Sequence, residues 1–330
     1  MLLKKLTAAC GLPGFEDEVR EIIKAELAGH VDELKTDRMG NLIAVKNAKA
    51  KGRHIALSAH MDEVGLCVKH IEKDGSIKFA TWGVDPRILP SALVFVGKDK
   101  IPGVIGIKPI HLEKSADKAP EVDSLYIDIG LDKKEEVEKL VNLGDFVAFE
   151  AGYVEFGDHK VKAKALDDRV GCAAIIETLK SGVKHRLTGI FCTQEEVGLR
   201  GSAVAANNLS ADLVLNLEGT ICADIEGVDE QHRVTTLGAG PCLSLADSTS
   251  VYQTKYIEEI IAVAEKSGIP WQFRRSGMGG TDSGRYHTAK TGTPCIGLSV
   301  PCRYIHSPVS AMDKRDFENL KKLVLAYLND

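Results

Sequence analysis

From about Val64 to about Asp158 the chain abandons the helical periodicity that marks it on either side, and this interruption limits its fold more than any other feature. Within the stretch, short β-like runs are broken at Asp74-Gly75, Gly97-Lys98, Pro102-Gly103, Gly130 and Gly144-Asp145, and only Lys133 to Val141 has helical spacing. Short strands with frequent turns predict a small β-barrel-like domain inserted into something larger.

The flanking segments read as an α/β layer. Val19, Ile22, Ile23 and Leu27 share one helical face, and Asn41 to Val45 has the look of a strand. Ile55 to Ala59 is short, small and apolar, the pattern of a strand buried on both faces, and it stops at His60. Beyond the insert, Arg169 to Lys180 and Tyr256 to Ala264 are helical, while Leu187 to Thr193, Leu213 to Leu217 and Cys295 to Val300 are strand-like. The expected organisation is an α/β catalytic domain split into residues 1–64 and 159–330 around a β-barrel at 65–158.

Composition narrows the function classes. With 330 residues and 44% hydrophobic content the chain can bury a sizeable core. Its 42 Lys and Arg against 47 Asp and Glu give a formal charge of −5, and no basic run tracks a phosphate backbone, so nucleic acid is not expected as a partner. The N-terminus lacks a signal-peptide core and no apolar run approaches the ~20 residues that span a bilayer, which predicts no membrane association. Eight cysteines without a C-x-x-C pair, several inside apolar runs, read as buried thiols of a cytoplasmic protein.

Polar residues gather where these strands end. His60-Met61-Asp62 puts an imidazole at a strand end with a carboxylate two residues on, able to return and accept its second N–H. Asp167-Asp168 lies where a loop enters a helix, and either residue alone reads as an N-cap. Glu195-Glu196 follows a buried strand, and adjacent carboxylates there repel unless a cation or proton lies between them. Glu218 is expected to end the strand Leu213 to Leu217, and His306 follows Cys295 to Val300. Convergence on one rim of one sheet is where α/β proteins place their chemistry.

In chain order, Ala59-His60-Met61-Asp62-Glu63, Ala165-Leu166-Asp167-Asp168-Arg169, Glu195-Glu196-Val197-Gly198, Gly279-Gly280-Thr281-Asp282 and Tyr304-Ile305-His306-Ser307-Pro308 together resemble the M42 metallo-aminopeptidases. That family includes glutamyl and tetrahedral aminopeptidases and chains labelled endoglucanase M. The resemblance implies a mixed-sheet, zinc-peptidase-like catalytic domain. It also implies two divalent metals, with Asp167 bridging, His60 and Glu218 on one ion, and Glu196 and His306 on the other. Asp62 would buttress His60, and Glu195 would be the general base toward a water between the ions. The family usually has Asp where this chain has Glu218. Gly279, Gly280, Thr281 and Asp282 would lie by the substrate, the Asp167–Asp168 peptide bond would be cis, and the chain would form a dodecamer built from dimers.

Two divalent ions against the carboxylates of Asp167, Glu196 and Glu218 leave a formal +1 to acidify a water. Mixed imidazole and carboxylate ligands suit zinc first, then cobalt or manganese. The expected reaction is hydrolysis of the first peptide bond of a short peptide with a free N-terminus. Two alternatives stand beside it: glycoside hydrolysis by paired carboxylates, which gives the histidines no role, and a non-catalytic assembly protein. Gly277 to Gly284 lacks the Gly-Lys-Ser/Thr ending of a phosphate loop and follows no clear strand, so a pocket wall is favoured. Arg285 and Arg303 would favour acidic N-terminal residues if they faced the pocket.

Overall fold

The computed structural model describes residues 2–112, 119–275 and 279–330. Gly277 and Met278, at the start of the glycine-rich loop, lie outside the described residues.

Two β systems divide the chain as the change of pattern predicts. The larger is an eleven-stranded mixed sheet. At its centre His54–His60 runs parallel to Arg186–Cys192 on one side and to Leu213–Ile221 on the other, and Leu213–Ile221 runs parallel to Cys295–Arg303. These strands are almost wholly buried, which explains their continuous apolar runs. Register aligns the functional ends: Cys192 lies opposite His60, Asn216 opposite Ser58, and Glu218 opposite Ser299.

Leu2–Ala8, Asp17–Leu27 and Lys314–Asn329 all touch the helix Leu166–Lys180, which lies directly across the strands His54–His60 and Leu213–Ile221. Arg200–Asn208 pairs with Ser283–Thr288 elsewhere on the sheet. The sheet and its helices share one large core that includes Leu57, Ile175, Leu215, Leu298 and Leu323. No helix among the described residues is long and apolar enough to cross a membrane.

The smaller system is a closed barrel of six strands, from Gly65–Ile71 to Phe146–Phe149. It has a separate core of Leu66, Val68, Phe79, Val94, Ile127 and Phe149, among others. Lys133 to Val141 contains a single helical turn, Lys134–Val137.

Several boundaries differ from the sequence reading. The barrel ends at Phe149, whereas Val154–Phe156 pairs antiparallel with Lys160–Ala163 in the large sheet, so the tail of the expected 65–158 insert belongs to the catalytic sheet. That strand lies at the sheet's edge with all of its residues exposed, so it leaves no buried pattern to read. Leu213–Ile221 runs on past Leu217, which places Glu218 within a strand instead of at its end. A short strand, Gln272–Arg274, does precede the glycine-rich loop, and the helix Ser283–Thr288 follows it. All eight cysteines are free, and all but the half-buried Cys67 are buried.

Candidate active site

At the C-terminal ends of the parallel strands lies a cavity of about 490 Å³, lined by His60, Asp167, Glu195, Glu196, Glu218 and His306 along with residues of the glycine-rich loop. The structure thus brings together six of the residues singled out from sequence. A volume of this size suits the end of a peptide.

His60 is the last residue of its strand and is buried. Its Nδ1 lies 3.1 Å from the backbone carbonyl of Asp62 and 3.5 Å from the Asp62 carboxylate, while Nε2 faces Asp167 Oδ1 at 3.4 Å. A carbonyl only accepts, so Nδ1 carries a proton, and Nε2 is the nitrogen turned to the cavity, where a cation would take the place of its own proton. The Asp62 carboxylate, besides lying beside His60, has a second partner set. It accepts the backbone N–H groups of Glu195 at 2.9 Å and Glu196 at 3.0 Å, and so holds both glutamates at the strand end.

The adjacent aspartates divide their labour. Neither has helical backbone angles, although both fall at the start of Leu166–Lys180, and the peptide bond between them is cis. Asp168 is fully buried; it accepts the N–H of Gly171 at 2.9 Å and that of His60 at 3.1 Å. It therefore acts as the helix cap while tethering His60, and Asp167 is left for the cavity. A Cβ on Gly171 would lie 2.4 Å from the Leu217 carbonyl, so only glycine allows this close approach.

His306 follows the strand Cys295–Arg303 in a tight loop where Tyr304 and His306 both have left-handed backbone, with φ of 62° and 59°. Its Nε2 lies 3.9 Å from Asp167 Oδ2 and 3.7 Å from Glu196 Oε2. Glu218 receives a 2.6 Å hydrogen bond from Asn216 Nδ2, two residues back on the same strand.

Electrostatics show what this cluster lacks when bare. Burial pushes Glu195 well above the usual carboxylate range, against the pull of His60 and with Asp282 and Glu196 adding to the rise. Burial likewise lifts Glu196 to about 7 and Glu218 to about 8, in both cases against the pull of a histidine and with Asp167 pushing further. For His60, burial pulls the imidazole down, but Asp167 and Asp62 outweigh it and hold it well above its ordinary value. Such carboxylates retain protons where a cation would replace them. Ligand atoms of His60, Asp167 and Glu196 all lie within 4.8 Å of one another, so the donor set fits a divalent ion.

The remaining candidates separate. Gly279, Gly280 and Thr281 line the cavity, but Asp282 is fully buried behind it. Neither proposed specificity arginine lines the cavity: Arg303 Nε donates to Asp224 Oδ1 at 2.6 Å, and Arg285 donates to the Gly198 carbonyl at 3.0 Å. Arg274, which the sequence reading passed over, does line it. Asn216 was legible in principle, because period-two spacing puts it on the face of Glu218. Gly83, whose carbonyl meets His306 Nδ1, carried no signal at all, since any residue has a carbonyl.

A sequence model described as M42 glutamyl aminopeptidase matches residues 40–323. The lysyl aminopeptidase of Pyrococcus furiosus is 31% identical over 100% of this chain and 96% of its own length. Among solved structures, an aminopeptidase of the archaeon Desulfurococcus kamchatkensis superposes with a TM-score of 0.95 at 35% identity, covering 100% of this chain and 94% of that one. The Pyrococcus horikoshii TET1 peptidase, described as assembling into a tetrahedron or a large octahedral shell, gives 0.87 at 32% identity over 98% and 97%.

Proposed function

This chain belongs to the M42 aminopeptidase family, a family of metal-dependent hydrolases acting on peptides, and from that premise we propose that it removes N-terminal residues from short peptides with two divalent ions held at the sheet rim. The observation that carries the reading is the convergence of His60, Asp167 and Glu196 within 4.8 Å, with His306 Nε2 less than 4 Å from both carboxylates. Asp167 would be shared, with His60 and Glu218 holding one ion and Glu196 and His306 the other. Zinc is the first choice for imidazole and carboxylate donors, ahead of cobalt or manganese.

Bound there, the ions would polarise the scissile carbonyl and make a water acidic at neutral pH. The protein's own contribution is proton handling. Glu195, half-buried in the cavity wall and held by Asp62, takes the proton from the attacking water and returns it to the leaving amine. Gly279, Gly280 and Thr281 offer a wall of small residues and backbone against which the peptide can lie.

The eight free thiols suit a reducing compartment, and we place the protein in the cytoplasm. For its assembly we favour the tetrahedral form described for the Pyrococcus horikoshii relative, in which closed symmetry puts twelve identical subunits.

The test is a panel of aminoacyl anilides alongside N-acetylated counterparts, assayed before and after chelation. Free-amine substrates are expected to turn over, acetylated ones to resist, and chelation to abolish activity that added zinc or cobalt restores. Turnover that ignores chelation, or acetylated substrates cleaved equally well, would overturn the reading.

A further inference from the structure

Outside the cavity wall lies a buried ionic cluster that the reaction itself does not use. Glu63, Lys164 and Arg169 are 2%, 4% and 0% exposed. Lys164 Nζ lies 2.6 and 2.8 Å from the two oxygens of Glu63, and an Arg169 terminal nitrogen lies 3.1 Å from one of them. Interior ion triads are rarely the most stabilising solution, because desolvating three charges offsets most of what their attraction returns. A role in holding geometry is the better explanation, and the remaining bonds say which geometry.

Each member sits beside site residues. Glu63 follows Asp62, while Lys164 and Arg169 bracket Asp167-Asp168. Arg169 Nε donates to the Met61 carbonyl at 3.1 Å, which ties the loop after His60 to the helix start that carries Asp167. Each member also grips the N-terminal segment. Lys164 donates to the Ala9 carbonyl at 2.6 Å, Arg169 donates to that of Leu6 at 2.8 Å, and Glu63 accepts the Gly11 N–H at 3.0 Å. The backbone N–H of Glu63 returns a bond to the Gly11 carbonyl at 2.9 Å. Approach is so close that a Cβ on Gly11 would lie 2.8 Å from Arg169. Residues 6–11 are thus bonded, through three side chains, to the two segments next to His60 and Asp167.

We propose that Glu63, Lys164 and Arg169 are positioning residues that link the seating of residues 6–11 to metal loading: a seated segment presents His60 and Asp167 in ligating geometry, and bound metal in turn holds the segment down. The reciprocity is thermodynamic, since two events that share one conformation must favour each other equally. This inference rests on the metalloenzyme reading above.

The experiment uses the full-length protein, stripped of metal and reloaded with zinc alone. Hydrogen exchange of the amides in residues 2–12 is followed with and without zinc, and zinc affinity is measured by competition with a chromophoric chelator. In the wild type, zinc is expected to slow exchange in that segment by about tenfold or more. Two variants weaken the link in different ways. Lys164→Met removes one cation and leaves Glu63 still paired with Arg169, and Leu6→Ala loosens the seated segment without touching an ion. Each is expected to lower zinc affinity by about 10- to 100-fold, the range for groups that orient ligands from behind, and to reduce the protection that zinc confers on residues 2–12. Purely structural roles would lower the melting temperature and leave zinc affinity unchanged; that result in both variants, or exchange in the wild-type segment that zinc does not alter, overturns the proposal. A wild-type chain that takes up no metal overturns the metalloenzyme reading and this inference together, which separates that failure from the first.

Discussion

The backbone carbonyl of Gly83, just after the barrel strand Ile77–Trp82, accepts a 2.9 Å hydrogen bond from Nδ1 of His306, a residue of the catalytic sheet's final loop. The acceptor cannot donate, so the bond fixes the His306 tautomer and turns Nε2 toward Asp167 and Glu196. Gly83 has φ of 71°, and a Cβ there would lie 2.7 Å from Val64 and 3.3 Å from Glu196 Oε2. Gly83→Ala is expected to reduce kcat/KM by about tenfold or more while the barrel stays folded. Steady-state kinetics beside circular dichroism check it, and an unaffected kcat/KM would show that the barrel does not orient His306.

Glu195 and Glu196 are neighbours in the chain for which the proposed roles are unlike. Glu195→Gln keeps the size and removes the proton acceptor, so metal content should stay near normal while kcat falls by about 100-fold or more. Glu196→Gln removes a charged ligand, so occupancy should fall first and excess metal should recover part of the activity. Metal analysis of both purified variants, with kinetics at rising zinc, distinguishes them. Reversed behaviour would exchange the assignments.

Asp62 holds both glutamates through their N–H groups. Asp62→Asn replaces one accepting oxygen with an NH2 that faces an N–H, so one of the two bonds must break. The expected result is a fall in kcat of roughly 10- to 100-fold with KM little changed. Equal loss in Asp62→Ala and none in Asp62→Asn would show that the carboxylate is needed only for its bulk.

How far the site was legible depended on which part of a residue does the work. His60, Glu195, Glu196 and His306 follow apolar strands, and a strand that stops at a polar side chain announces itself. Glu218 reads in sequence as the end of the strand Leu213 to Leu217 but sits inside it, aligned with the rim by register, which no single segment encodes. Asp167 and Asp168 could not be told apart in sequence, because the division between cap and ligand arises from hydrogen bonds to Gly171 and His60 that only the fold brings close. Asp282 was misplaced for a related reason: its loop touches the cavity through Gly279 to Thr281 and then turns inward. The barrel was visible from its turns, but its reach into the site through one carbonyl was not.

Protonation links the bare site to pH. Glu218 at about 8, Glu196 at about 7 and Glu16 at about 7 all lie above the unfolded carboxylate value, each raised chiefly by burial. The folded chain therefore binds more protons than the unfolded one between about pH 4.5 and 8, and their contribution is fully present below that window and lost as pH rises through it. Metal-stripped protein should melt at progressively lower temperature from pH 5 to pH 8, and added zinc should raise the melting temperature more at pH 8 than at pH 6. Thermal scans at several pH values check both; a stripped protein that gains stability over this window contradicts the sign.

Assembly gives the last expectation. Light scattering should report a species near twelve times the 35.7 kDa subunit mass. A stable monomer at all metal concentrations would remove the tetrahedral form from consideration.

The placement of His306 so late in the chain has a consequence for the protein's own biosynthesis. Under the proposed ligand set, the nascent chain cannot complete the metal site until the loop after Cys295–Arg303 has emerged and met the barrel and the sheet.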